Sequence, residues 1–402
     1  MSDDARAGAH LEHVVLLPTP AAPLPAEAAV VVVGGGVMGV SIAFHLAEAG
    51  VTDVVVLDRG TLGSGSSAKP LGGVRATFSD ANNVELGLRS LRSYETFSRR
   101  FGVDIGLRQV GYLFLCRTEA ELAAVEASVR LQNRLGCNSR MVSAAEACEI
   151  NPLLERAPLL GASFSPRDGY AEPARVVEGY ARAASSLGVR FCEHTEALEL
   201  ATDATGIHHV RTQRGCTRAD TVIIAAGAWS TRLGAMLRVH LPVEAVRRQV
   251  GFTARDGARP ALPFTLDLST TLYFHNYRDG LLLGISNADE QPGFCREFSF
   301  GWTRAFDAAA AVVAPSLVGA PLVGGWAGLY ENTPDHNAII GRAPVPGVLY
   351  ATGFSGHGFL QAPAVGEIVR DLYLERDPLV DPTAFSADRF DSGALLNEVH
   401  II

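Results

Sequence analysis

VVVVGGGVMGVSIAFHLAEAGVTDVVVLDRG, residues 30–60, is the stretch whose reading decides the fold. It opens with Val30–Val33, an unbroken β-branched run of the length of a strand buried on both faces. Gly34, Gly36 and Gly39 follow with GxGxxG spacing, and Val40, Phe44 and Ala47 then recur at helical intervals until Gly50 stops the helix. A second strand, Val54–Leu57, ends in Asp58, 24 residues beyond Gly34. Gly34 permits the tight strand-to-helix turn, Gly36 lets the backbone approach a pyrophosphate, and Gly39 lets the helix pack against the sheet. The helix N-terminus offers N–H groups and a partial positive charge to phosphates. The candidate cofactor residues here are therefore Gly34, Gly36, Val37, Met38 and Gly39 for phosphate, with Asp58 and Arg59 for the ribose of an adenosine.

Outward from this unit, 402 residues leave room for two domains of ordinary size. Hydrophobic residues at 48% and charged residues at 19% describe a globular chain, and a net charge of −9 argues against a nucleic-acid or anionic-membrane partner. No apolar run reaches the ~18 residues of a membrane span. The N-terminal MSDDARAGAH has neither the basic nor the apolar segment of a signal peptide, so a cytoplasmic chain is expected. Cys116, Cys137, Cys148, Cys192, Cys216 and Cys295 are scattered without metal-ligand spacing; reduced thiols and no metal are expected.

Along the chain, residues 1–27 read as a mobile Ala/Pro-rich tail and 391–402 as a C-terminal tail. The loop Gly63–Ser67 and the following Gly72–Arg75 offer backbone and hydroxyl donors directly after the second strand, which makes Ser66, Ser67 and Gly73 candidate phosphate or ring contacts. Helices are expected over residues 84–101, 119–135, 174–187 and 363–374. Strands are expected over 111–116, 189–193, 207–212, 222–229 and 349–353, and residues 272–277 and 280–285 read as a hairpin turning at Arg278-Asp279. Ala226 and Gly227 close the buried 222–229 strand in a Gly-containing turn. The pattern is α/β: a Rossmann-like nucleotide domain from residues 28–110, 168–240 and 325–390. An antiparallel-sheet substrate domain, 111–167 and 241–324, is inserted in it, leaving a cleft at the junction.

Four stretches together resemble the FAD-dependent amine and amino-acid oxidoreductases of the D-amino-acid-oxidase superfamily. They are GGGVMG ending at Asp58, the GSGSS loop, VIIAAGAW, and GLYENTPDHNAIIG…LYATGFSGHGF from Gly328 to Phe359. The nearest likeness is to the branch holding sarcosine oxidase, glycine oxidase, dimethylglycine dehydrogenase and the β-subunits of hetero-oligomeric sarcosine oxidase and proline dehydrogenase. The resemblance implies extended FAD, with the flavin near Ser66, Ser67 and Arg75. Gly353, Gly356, Gly358, Phe359 and Leu360 would lie near its pyrimidine edge. It also implies hydride transfer from a C–N carbon of an amine or amino acid, with oxygen or an electron-acceptor protein as the final partner. Gly328 stands where a relative carries a flavin-linking cysteine, and Pro173 where another carries a flavin-linking histidine, so non-covalent FAD is expected. Leu282 and Leu360 stand where the same relative has lysines, one promoting reaction with oxygen and the other near the substrate carboxylate.

Five residues are candidates for the chemistry itself. Arg75 offers a guanidinium fork to a substrate carboxylate, or else a structural contact to the flavin or a loop carbonyl. Tyr330 matches the family tyrosine near the ring. His357 either helps stabilise reduced flavin or serves as a packing and hydrogen-bonding group. Tyr273 and His275, alternating with Tyr277 on one strand, form either a substrate wall or a half-exposed sheet face. Arg247 and Arg248 are weak candidates that read mainly as solvated, and Asp335 as a turn residue.

Overall fold

The computed structural model describes residues 23–396 and 398, apart from 70, 255, 256, 258, 259 and 288, so most of the N-terminal stretch expected to be a tail lies outside the described residues. Strand β1 (Glu27–Val33) runs at the centre of an eight-stranded sheet. It is parallel to Gly215–Ile224 on one side and to β2 (Val54–Leu57) on the other. Its alternating side chains feed two separate cores: Val30 and Val32 pack with the helices, and Val31 and Val33 pack beneath the opposite face. That is why the run carries no polar residue. The sheet continues through Val348–Thr352 to Ile339–Arg342 at one edge and Arg190–Cys192 at the other, with an antiparallel meander (Ala197–Thr202, His208–Thr212) attached.

Helix α1 (Val37–Glu48) covers one face together with the helices Pro173–Ser186 and Gly358–Tyr373, their apolar stripes meeting around Phe44, Tyr180 and Val365. The last helix begins five residues before the expected start, because Pro363 lies inside it and not at its first turn. A proline there leaves the carbonyl four residues earlier without its helical donor. The Tyr94 hydroxyl supplies the missing bond, donating to the Phe359 carbonyl at 2.5 Å. The single helix expected over 84–101 is two, Ala81–Glu95 and Phe97–Phe101, the first capped by Asp80, which accepts from Asn83 N–H at 3.1 Å.

The second sheet also has eight strands, in the order Leu322–Asn332, Glu244–Thr253, Gly280–Ile285, Leu272–Tyr277, Phe264–Asp267, Tyr112–Cys116, Gly161–Ser165, Arg140–Ser143. It is antiparallel except where Phe264–Asp267 lies parallel to Tyr112–Cys116. The hairpin turns as expected, Tyr277 pairing with Gly280. One domain boundary moves. Residues 325–390 were expected in the nucleotide domain, yet Leu322–Asn332 pairs along its length with Glu244–Thr253, and the nucleotide sheet resumes only at Ile339. The GLYENTPDHNAIIG motif is thus one sequence unit shared by two sheets through the turn at Thr333–Asn337. That turn is fixed by Asp335, which accepts from Asn337 N–H at 3.2 Å and from Arg389 Nε and Nη2 at 2.8 and 2.9 Å. The C-terminal stretch is accordingly docked: Leu396 N–H donates to Asp335 at 3.1 Å, and Glu398 accepts from the Ser79 hydroxyl at 2.9 Å. No described helix is long and apolar enough to cross a membrane.

Candidate active site

The site begins at the turn after β1. Gly34 has φ +114°, and a Cβ there would stand 2.3 Å from the Ala225 carbonyl of the neighbouring strand. A Cβ on Gly39 would stand 1.8 Å from the Gly34 carbonyl, so the helix rests directly on the turn. Helix α1 starts at Gly36 with no capping side chain of its own. Ser67 reaches over from the GSGSS loop instead, its hydroxyl accepting from Val37 N–H at 2.8 Å, while Ser66 donates to the Leu329 carbonyl at 2.7 Å. This loop therefore ties the nucleotide turn to the second sheet. Asp58 accepts from Gly35 N–H at 2.7 Å and Gly60 N–H at 2.8 Å. Burial raises its carboxyl above the ordinary value, against the pull of those two amides.

A cavity of about 450 Å³ follows, within the range of ligand sites. It runs from Asp58, Arg59, Thr195 and Glu196 past Gly34, Gly36, Ser66 and Ser67 and the Ala226-Gly227 turn. It ends against the face of the second sheet at Arg248, Val250, Tyr273 and Tyr330, with Gly356, Gly358 and Phe359 alongside. The residues fit FAD. A glycine cradle that any Cβ would fill faces a helix start, an acid closes β2, and a long cleft of mixed polarity connects them to the second sheet.

Of the expected site residues, the cleft is lined by Gly34, Gly36, Val37, Met38, Asp58, Arg59, Ser66, Ser67, Ala226, Gly227, Tyr273, Tyr330, Gly356, Gly358 and Phe359. Gly39, Gly73, Arg75, His275, Gly353, His357 and Leu360 stand behind that lining. Gly73 sits against the Tyr112 hydroxyl, and Leu360 packs with Ala76, Phe78, Val84 and Leu88. Arg75 is buried, donating to the Thr77 carbonyl and, from Nη2, to His357 Nε2 at 3.2 Å, with its guanidinium 4.0 Å from the Phe78 ring. Asp168 lies beside it, accepting from Ala76 N–H at 3.1 Å and the Thr77 hydroxyl at 2.9 Å; burial pushes this carboxyl up to about 6. Burial first, and the neighbouring Arg75 second, hold His357 well below the ordinary imidazole value, so it is a neutral acceptor for Arg75. His275 is packed between Phe264 and Tyr170 with both ring nitrogens against backbone carbonyls, Asn276 at 2.6 Å and Leu71 at 3.1 Å. Its strand face is therefore a buried aromatic layer and not a half-exposed one, and of that strand only Tyr273 reaches the cleft.

Sequence reasoning missed Arg248. On the strand Glu244–Thr253 the two adjacent arginines point to opposite faces. Arg247 pairs outward with Glu290 at 2.8 Å and with the Glu297 carbonyl at 2.9 Å, while Arg248 enters the cleft 5.4 Å from the Tyr330 ring. Two consecutive arginines in a strand cannot both face water when one face is buried, but which of them turns inward depends on the partner strands. Lys69, Trp229, Arg296 and Glu331 also line the cleft and were not among the expected site residues, although Trp229 and Glu331 lie within the VIIAAGAW and GLYENTPDHNAIIG stretches. Glu331 accepts from the Thr352 hydroxyl at 3.2 Å, and burial pushes its carboxyl up to about 7.

A two-sheet α/β protein whose glycine turn opens into a cleft walled by a second sheet is, by fold and site, a dinucleotide-binding protein with a second face for a further ligand. The chain belongs to the DAO family of FAD dependent oxidoreductases, whose model matches residues 29–372. Glycine oxidase of Geobacillus kaustophilus (strain HTA426) is 31% identical over 376 residues, covering 90% of this chain and 96% of that protein. The 4-methylaminobutanoate oxidase (formaldehyde-forming) of Paenarthrobacter nicotinovorans is 28% identical over 381 residues, 92% of this chain but 46% of that protein. Dimethylglycine dehydrogenase of Mus musculus is likewise matched over only 44% of its length, so the chain spans about half of these longer relatives. Among solved structures, L-proline dehydrogenase from P. horikoshii superposes with a TM-score of 0.87 at 30% identity, covering 93% of this chain and all of that one. FAD is the family's cofactor, and among the described residues no cysteine or histidine lines the cleft.

Proposed function

We propose that this chain uses FAD to oxidise the C–N bond of a secondary amine or amino acid to an imine, which water then hydrolyses. The observation that carries this reading is the continuity of the cleft: the dinucleotide turn and the Tyr273/Tyr330 face of the second sheet line one cavity. The names of the relatives agree, since glycine oxidase, 4-methylaminobutanoate oxidase and L-proline dehydrogenase all denote oxidation of amines or amino acids.

What FAD supplies when bound is acceptance of a hydride from the carbon beside the substrate nitrogen. The chain's own residues hold the reactants and exclude water. Asp58 and the Gly34–Gly36 turn would hold the adenosine and pyrophosphate, and Ser66 and Ser67 fix the loop that joins that turn to the second sheet. Tyr330 and Tyr273 wall the substrate end. Burial raises both phenols above their ordinary value, so at neutral pH they donate hydrogen bonds and do not take protons. A substrate amine that binds neutral needs no protein base. Leu282 is buried in an apolar cluster where the resemblance has a cation that promotes reaction with oxygen, which favours a dehydrogenase over a fast oxidase.

The test is an anaerobic titration of the FAD-loaded protein with a panel of primary, secondary and tertiary amines and amino acids, followed by air. Bleaching of the flavin band by secondary amines, with slow recovery in air, supports the reading. A flavin that none of them bleaches overturns it.

A further inference from the structure

The second-sheet end of the cleft carries positive charge that no acidic group among the described residues pairs with. Arg248 lies directly across the sheet from Gly328 in the antiparallel register. Residues so paired project to the same face with Cβ positions about 5 Å apart. Gly328 has no side chain, and the place its Cβ would take is 2.7 Å from the Cβ of Lys69. Lys69 is held there by its own backbone, whose carbonyl accepts from the Trp326 indole N–H at 2.5 Å. The Arg248 and Lys69 side chains thus leave their backbones on the two sides of Gly328 and both line the cleft, the Arg248 guanidinium 5.4 Å from the Tyr330 ring and Lys69 beside Arg296.

Neither cation makes an ion pair among the described residues. Arg248 donates to the carbonyl of its neighbour Arg247 at 3.2 Å, and its Nε is buried without a partner. Burial, and then the nearby Arg296, push the Lys69 ammonium below its ordinary value. Of the acids lining the cleft, Asp58 is engaged by Gly35 and Gly60, Glu331 by Thr352, and Glu196 stands beside Thr195 at the far end. Unmatched cations in a partly dry cleft are stabilised by an anionic ligand. One carboxylate satisfies one of them.

We propose that Arg248 and Lys69, on the two sides of Gly328, form a two-cation station that selects amino dicarboxylates: substrates with a secondary amine flanked by two carboxylate groups. This rests on the amine-oxidising reading above and narrows it. Arg248 takes the carboxylate nearer the reacting carbon, beside Tyr330, and Lys69 takes the other. Gly328 is the gap that lets the second carboxylate reach Lys69.

The experiment uses the FAD-loaded protein and non-oxidisable probes. Acetate and propionate are compared with succinate and glutarate by calorimetry and by perturbation of the flavin spectrum. The station predicts that the dicarboxylates bind about tenfold tighter or better, the worth of one further charge-assisted pair. Lys69→Met should bring the dicarboxylate-to-monocarboxylate ratio close to one, and Lys69→Arg should restore it. Flavin content reports that each variant is folded. Equal affinities for both classes, or a ratio that Lys69→Met leaves unchanged, overturns the station. Flavin bleaching separates the two proposals: N-methylglycine reducing the flavin as efficiently as N-(carboxymethyl)glycine sinks the dicarboxylate selection and leaves amine oxidation standing. A flavin that no amine reduces sinks the function itself.

Discussion

At the nucleotide end of the cleft the backbone does the holding, and at the other end side chains do. The first end is a glycine turn, a helix start and a strand-terminal acid, each fixed by local geometry: Gly34 at φ +114°, Gly39 against the Gly34 carbonyl, Asp58 bridging two amides. The second end is a sheet face on which Arg248, Tyr273 and Tyr330 come together from strands far apart in sequence. A site made of backbone tolerates almost no change in shape at its glycines but is indifferent to most side chains around it. A site made of side chains can be re-aimed one residue at a time, which is how one fold serves many amines.

The sharpest way to break this contrast is Gly39→Val. Any Cβ there collides with backbone at 1.8 Å, so the turn must open; the variant should purify without flavin and with a lowered melting temperature. Retention of full flavin content would show that the turn does not depend on that contact.

A second prediction concerns the layer behind the substrate end. The Asp168 carboxyl is raised by burial from 3.8 to about 6. Its protonated form is the one folding favours, so the native state binds more protons than the unfolded chain between these values. Stability should therefore fall as pH rises from about 4 to about 6 and level off above, by at most about 3 kcal/mol. Urea midpoints measured across that range should show this slope in wild type and lose it in Asp168→Asn. Equal slopes would mean that Arg75 offsets the burial.

Next in size is Arg248→Met. It should lower kcat/KM for an amino-acid substrate about 100-fold, in line with loss of a charge-assisted bidentate bond, while flavin content stays at wild type. Arg75→Met would have the larger effect on that ratio if Arg75, and not Arg248, holds the carboxylate. The smallest expected effect is Asp58→Asn. It keeps one acceptor but loses the charge, and should weaken FAD about tenfold without altering KM for the amine.

The same contrast explains what could be read from the chain alone. Val30–Asp58 specifies its turn, helix and acid within 29 residues, so the nucleotide half of the site was legible. Ser67 was legible as a donor-rich loop, though not as an acceptor over the first turn of α1. Arg248 was missed because a strand reveals which face is inward only when its partner strands are known, and the pairing with Leu322–Asn332 spans about 80 residues. Lys69 has no signature, since its position depends on a missing Cβ at Gly328, a contact no local pattern encodes. Arg75 was legible as a basic residue near the flavin loop. Its engagement with Thr77 and His357, the latter 282 residues away, is a tertiary fact.

The account stands or falls on whether the two ends of the cleft meet in one reaction. The most direct measurement is the rate of flavin bleaching, under anaerobic stopped flow, with a secondary amine deuterated at the carbon beside nitrogen. Marked slowing relative to the protonated amine is predicted, because the C–H bond is broken in the step that reduces the flavin. Bleaching at equal rates when reduction itself limits, or none with any amine, would contradict it.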